Sequence, residues 1–230
     1  MSQKFKDRDL VLPGDVVFDG GIRTGDNTYR IKDSVIATRL GLVNYINGIV
    51  TVTALEAGYR PIINDIVIGE IVEINLGEWV VDLGKHQEGL LSISDAIDRP
   101  YRSDYNMRRV LDFGDTIIAK VVDFDRRNNP LLTILGPGLG KMREGFIINL
   151  TSIKIPRLIG KKGSMINMII KETGCRVNIG QNGRILISGP NRSREEMVVK
   201  VVNMIDREAH TSGLTNRTQD LLKKLRNESR

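Results

Sequence analysis

The chain has almost none of the residues on which covalent staples and metal centres depend. Of 230 residues one is cysteine, Cys175, and two are histidine, His86 and His210, far apart in sequence. A lone cysteine makes no intramolecular disulfide, and no metal-ligand spacing can be assembled from this set, so neither a metal nor a cofactor is expected. Aromatics are scarce, at 5% of residues with a single Trp. No run of about 18 apolar residues occurs, which excludes a transmembrane helix. The opening MSQKFKDRDL lacks the apolar core of a secretory signal. The expected setting is therefore the cytoplasm, away from membranes. No nucleophile with an adjacent base is evident, and no catalytic residue is assigned.

What is present is the composition of a folded chain, 40% hydrophobic with a mean hydropathy of −0.17. Seven Pro and 23 Gly point to several turn-rich units. The charge is uneven. From residue 145 onward there are 16 basic and 7 acidic side chains, a net of +9, whereas the first 144 residues carry 18 and 21, a net of −3. A basic C-terminal third on a slightly acidic remainder suits one module that meets a polyanion and others that meet something else.

Residues 1–58 alternate short β-branched runs, such as Val16-Val17-Phe18 and Ile49 to Val52, with turn signals including Gly20-Gly21 and Asn47-Gly48. That pattern predicts a small all-β unit. Residues 59–136 hold five β-type stretches, Ile66 to Ile74, Trp79 to Leu83, Leu90 to Ile93, Thr116 to Phe124 and Leu131 to Leu135. One helix-capable excursion, Ser94 to Val110, separates the third from the fourth, which is the order of an OB-type barrel. Residues 137–144 are rich in Gly and Lys but lack the spacing of a phosphate loop, and read as a hinge.

From 145 to 210 the order is β-α-α-β-β-α. Ile147 to Ile155 reads as strand, and a short helix near Pro156 is interrupted by Gly160-Lys161-Lys162-Gly163. A second helix opens at Ser164 with Met165, Ile166, Ile169 and Ile170 on one face, ending at Thr173-Gly174. Two strands follow around Gly180-Gln181-Asn182-Gly183, then a long helix with Ser193 and Glu196 as its capping box. Residues 211–230 read as a basic polar tail in which Leu221, Leu222 and Leu225 leave room for a short helix.

A glycine-x-x-glycine alone is weak evidence. Between two helices, after Leu158-Ile159 and before an apolar helix face, it resembles the KH domain over about 60 residues. The physics agrees, since glycines let backbone amides at a helix start approach phosphate oxygens, and Lys161 and Lys162 add charge there. The resemblance assigns Gly160, Lys161, Lys162 and Gly163 to the phosphates of about four nucleotides, and Ile159, Ile166, Arg176, Val177 and Asn178 to the base groove and its rim.

The preceding barrel looks like an S1-type OB domain, on Asp65 to Val72, Gly89-Leu90-Leu91-Ser92-Ile93-Ser94 and Val121 to Arg126. It departs from strongly RNA-binding S1 domains: the family's stacking positions hold Leu76 and, depending on register, Trp79 or Val80, and Ser92 stands at the histidine position. Alternation puts Trp79 with Val81 and Leu83, which reads as core. Without its aromatics, the barrel would steer RNA by loop charge, from Lys85, His86, Arg126 and Arg127.

Together, Val11-Leu12-Pro13-Gly14-Asp15, Tyr59-Arg60-Pro61 and the module order resemble the S1/KH RNA-binding cap subunits of the exosome, in their archaeal form, over essentially the whole chain. Asn64 stands where that family more usually has glycine. The resemblance implies a non-catalytic subunit that captures single-stranded RNA. It would sit on a hexameric ring of RNase PH-like subunits, in three copies or mixed with another cap subunit, while the ring performs 3′ to 5′ phosphorolysis. The other reading is an S1/KH accessory protein of translation or transcription that works without a nuclease ring.

Overall fold

The computed structural model describes residues 2–55, 58–98, 106–124, 129–209, 211 and 213–228. Arg126 and Arg127 lie outside these residues. The chain divides into two units, Met1–Ala57 and Gly58–Arg230.

The first unit is all β. Its strands are β1 (Ser2–Gln3), β2 (Leu10–Val11), β3 (Val16–Asp19), β4 (Arg23–Thr24), β5 (Thr28–Ile31), β6 (Ser34–Ala37), β7 (Gly41–Ile46) and β8 (Ile49–Ala54). They form two four-stranded sheets, ordered β1-β3-β6-β5 and β2-β7-β8-β4. Asn47 and Gly48, both at positive φ, make the tight turn between β7 and β8, where the Asn-Gly pair predicts one. Val11, Val17, Val35, Val43, Val50 and Val52 fill the core, so it is built largely from valines on alternate strand positions.

The second unit begins with a barrel of β9 (Ile66–Asn75), β10 (Glu78–Gly84), β11 (Gln87–Ser92), β12 (Thr116–Asp123) and β13 (Leu131–Thr133). Between β11 and β12 lie two single-turn helices, α1 (Ile93–Ala96) and α2 (Met107–Val110). The order β13-β11-β10-β9-β12 closes where β13 pairs with β12. Composition alone does not establish that closure. Inward-facing Val67, Ile71, Trp79, Val81, Leu83, Leu91, Ile117, Ala119, Val121 and Leu132 fill the interior.

Asn64 has φ 75°, a left-handed conformation that asparagine tolerates in glycine's place. Residues 137–144 are not a free hinge. β14 (Gly140–Lys141) pairs with β12, and Leu139 and Met142 pack on a small apolar cluster of Ile68, Ile118 and Leu186. Ile68 and Ile118 point out of the barrel yet are buried, because the next module covers them.

That module has a sheet ordered β15-β17-β16, from β15 (Phe146–Asn149), β16 (Arg176–Ile179) and β17 (Arg184–Ser188). Its helices are α3 (Ile155–Ile159), α4 (Ser164–Thr173), α5 (Arg192–Glu208) and α6 (Leu214–Glu228), with a 3₁₀ turn at Ser152–Lys154. Ile148, Ile185 and Ile187 face the helices while Ile147 and Leu186 face the barrel, so the sheet lies between the two. The cap of α5 is Asn191, whose side chain accepts from Arg194 N at 3.0 Å, two residues before the expected Ser193. The chain enters that helix earlier because Glu195 turns back to accept from Gly189 N.

Residues 211–230 also depart from the expected polar tail. Leu214, Leu222 and Leu225 of α6 enter the same core as Leu158, Met165 and Ile169, and Arg226 pairs with Glu172 at the end of α4 at 3.1 Å. The leucines recur at helical spacing, and the core supplies the burial that an isolated segment lacks. Leu222→Ala should accordingly lower the stability of this module by about 2–5 kcal/mol, read as a shifted urea midpoint. A dispensable tail would show no shift.

Candidate nucleic-acid interface

Gly160 to Gly163 joins α3 to α4. Gly160 has φ 72° and ψ 176°, a region open essentially to glycine alone. A Cβ there would lie 2.8 Å from Met165 Cβ and 2.9 Å from Met165 N, so both conformation and space exclude a side chain. Gly163 has φ 79° and ψ 8°, and Lys162 between them is also left-handed, at φ 54°. The loop closes through Gly160 N donating to Pro156 O at 2.9 Å and Gly163 N to Gly160 O at 3.2 Å. No side chain caps α4, so its first amides remain directed toward the loop, a ready site for an anion.

Lys161 and Lys162 are exposed, and neither has an ion-pair partner among the described residues. Ile159 and Ile166 are half-buried on either side of the loop. Ile159 packs on the module core, as does Val177 on the edge strand β16. Arg176 and Asn178 alternate with Val177 and are exposed. One apolar surface therefore carries a loop of bare backbone and two cations at its end, and polar side chains on the neighbouring strand. Sequence reading missed two residues here. Arg157 is exposed on the last turn of α3, and Asn167 lies with its amide 3.4 Å from where a Gly163 Cβ would be. The i, i+4 spacing of Gly163 and Asn167 was the available signal.

On the barrel, Lys85 and His86 are exposed in the β10–β11 turn, both left-handed at φ 52° and 62°. Trp79 is fully buried, its Nε1 donating to Leu111 O at 3.0 Å. Ser92 caps α1 and bonds Asp95. Leu76, by contrast, is 95% exposed. Among the described residues no metal-binding cluster occurs. Burial pushes the Cys175 thiol up, away from reactivity.

Family models match the S1 domain of Rrp4 over residues 58–123 and the KH domain over residues 146–205. The exosome complex component Rrp4 of Thermococcus kodakarensis is 39% identical over 222 residues, covering 94% of this chain and 86% of that protein. The chain belongs to the Rrp4 family. The Rrp4 of Sulfolobus acidocaldarius is 36% identical over 98% of this chain and 94% of its own. A crystal structure of a chain assigned as an exosome complex RNA-binding protein superposes with a TM-score of 0.71 at 37% identity, over 76% of this chain and all of that one. The match to Rrp4 spans all three modules, including the N-terminal sheets that neither domain model covers.

The two loop glycines differ in kind. Gly160→Ala should cost about 1–3 kcal/mol through its backbone conformation alone, with the overlap at Met165 added. Gly163→Asn should cost less, because asparagine enters the left-handed region. Denaturant midpoints of the two variants, at unchanged slope, check the ranking.

Proposed function

We propose that this chain is a non-catalytic, RNA-capturing cap subunit of an archaeal-type exosome. The observation that carries this reading is the loop at Gly160 to Gly163: backbone no side chain can obstruct, an uncapped helix start, and two unpaired lysines, in a member of the Rrp4 family. Phosphates of single-stranded RNA would meet the loop amides and Lys161 and Lys162. Bases would lie along Ile159, Ile166 and Val177, with Arg176 and Asn178 at the rim. The barrel, its tryptophan buried, offers charge at Lys85 and His86 and would steer a strand rather than read it. Arg126 and Arg127 belong to the same proposal from sequence alone.

The N-terminal sheets would dock on a ring of RNase PH-like subunits, with barrels around the pore and KH modules outward, in three copies or mixed with another cap subunit, in the cytoplasm. Three loops around one pore raise the effective concentration of a strand already held by one of them. Phosphorolysis would belong to the ring, so the isolated chain incubated with RNA and phosphate should release no nucleoside diphosphates. No feature of the chain favours an accessory role in translation or transcription.

Gly160→Asp with Gly163→Asp should abolish most RNA capture by the assembled complex while leaving co-purification with ring subunits intact. For the unaltered protein, log affinity against log salt should fall with a slope of roughly −0.7 per neutralised phosphate. Undiminished filter binding of a poly(A) strand by the double variant would remove the loop from the RNA site.

A further inference from the structure

The barrel and the KH module are joined by a set of side chains that neither module needs for its own fold. After Asp82, β10 turns away from β9, and its register with β11 shifts between Asp82 and Gly84. Beyond that point the backbone of β9 lacks a strand partner on this edge. The turn from Gly180 to Gly183 supplies one. Gln181 N donates to Ile66 O at 2.8 Å, and Ile66 N donates to Gln181 Oε1 at 3.1 Å. The Asn182 amide donates to Ile68 O at 2.7 Å and Leu83 O at 2.8 Å, while its oxygen accepts from Ile68 N at 3.2 Å. Arg184 donates to Asp82 O at 2.6 Å and pairs with the Asp82 carboxylate. Asn182 is 9% exposed, so these are desolvated bonds with little competition from water.

This clasp lies between the two candidate RNA contacts. On the KH side, Leu150 N donates to Gly183 O at 2.7 Å. From there the chain reaches Gly160 through the 3₁₀ turn and α3, about 14 Å of helical rise. On the barrel side, a Cβ at Gly84 would be 3.2 Å from Arg184 Nε, and Lys85 and His86 follow directly. That turn holds two exposed cationic or polar side chains in the left-handed backbone usually given to Asn and Gly, and Arg184 lies against its base.

We propose that Asn182 and Arg184 are positioning residues that hold the KH loop and the Lys85–His86 turn as two fixed points on one RNA strand. The proposal rests on the reading of the loop as an RNA clamp. Two contacts on a rigid frame of matching span bind a strand that reaches both more tightly than the same contacts on a flexible tether, because the second contact costs less entropy. A strand too short to reach both gains nothing. The clasp therefore sets how affinity depends on RNA length, and leaves the intrinsic affinity of the loop unaltered.

The test uses the full chain with single-stranded RNAs of about four and about 12 nucleotides, followed by fluorescence anisotropy. Asn182→Asp with Arg184→Ala aims a carboxylate at two carbonyls and removes the ion pair. It should weaken the longer strand about tenfold and the shorter by less than about twofold. Asp82→Asn, which alters only the barrel side, should weaken the longer strand in the same selective way. In a double-mutant cycle, Lys85→Glu with His86→Glu should cost much less on the longer strand once the clasp is open than when it is closed. Equal loss at both lengths, additive penalties in the cycle, or no length-selective loss from Asp82→Asn would overturn the proposal. Failure of the unaltered chain to bind the four-nucleotide strand would instead refute the clamp on which it rests.

Discussion

A barrel that closes must at some point let one strand leave its neighbour, and backbone groups bared there must find partners. In this chain that point is Ile66 to Ile68 on β9, opposite the departure of β10. The partners come from another module, through Gln181 and Asn182. The same contact buries Ile68 and Ile118 under Leu186, so apolar cover and hydrogen bonding coincide. Each contribution alone is modest, since an intramolecular hydrogen bond nets about 1 kcal/mol. Removing one partner is costlier, because buried polar groups would be left without any. Barrel, sheet and helices consequently stack as one body, and the loop at Gly160 is placed with respect to the barrel by short, regular elements.

The loop itself depends on what is missing. At Gly160 the backbone conformation and the proximity of Met165 both demand the absence of a side chain. At α4 the absence of a cap leaves amides directed outward. The lysines lack carboxylate neighbours among the described residues. Elsewhere in the module the cations are occupied: Lys154 by Asp206, Arg217 by Glu208, Arg226 by Glu172. Asp206 illustrates the contrast. Burial alone would raise its carboxyl, yet bonds from Lys154 and Thr151 outweigh this and hold it below the usual range. Structural charge is paired, and charge at the loop is left open.

In the barrel the balance differs. Trp79 is spent on the interior and on Leu111 O, which leaves an aliphatic Leu76 at the hairpin tip. Stacking contributes about 1–3 kcal/mol per base, so this surface lacks the main means by which OB barrels hold single strands. Its remaining contribution is electrostatic, and that gains from being held close to a stronger site.

Local pattern was enough to reveal the strands of the barrel, the two helices around the glycines, the burial of Trp79 on alternation, and Gly174 as a helix end at φ 71°. These follow from periodicity and from backbone conformations that few residues adopt, which neighbouring positions determine. The residues at 137–144 and 211–230 were misread because their composition is that of a linker and a tail. Gly140–Lys141 becomes a strand only because β12 offers an edge, and α6 a buried helix only because the module core awaits three leucines. Gly180 to Gly183 reads as a turn in sequence and is one. That it also completes the sheet of another module depends on residues 114 positions away. Sequence by itself determined the modules and the glycine loop, because each is written in short-range spacing. Only the tertiary structure decided how the modules are joined, because that requires unpaired backbone on one to meet a side chain from another, and no local pattern records such a meeting.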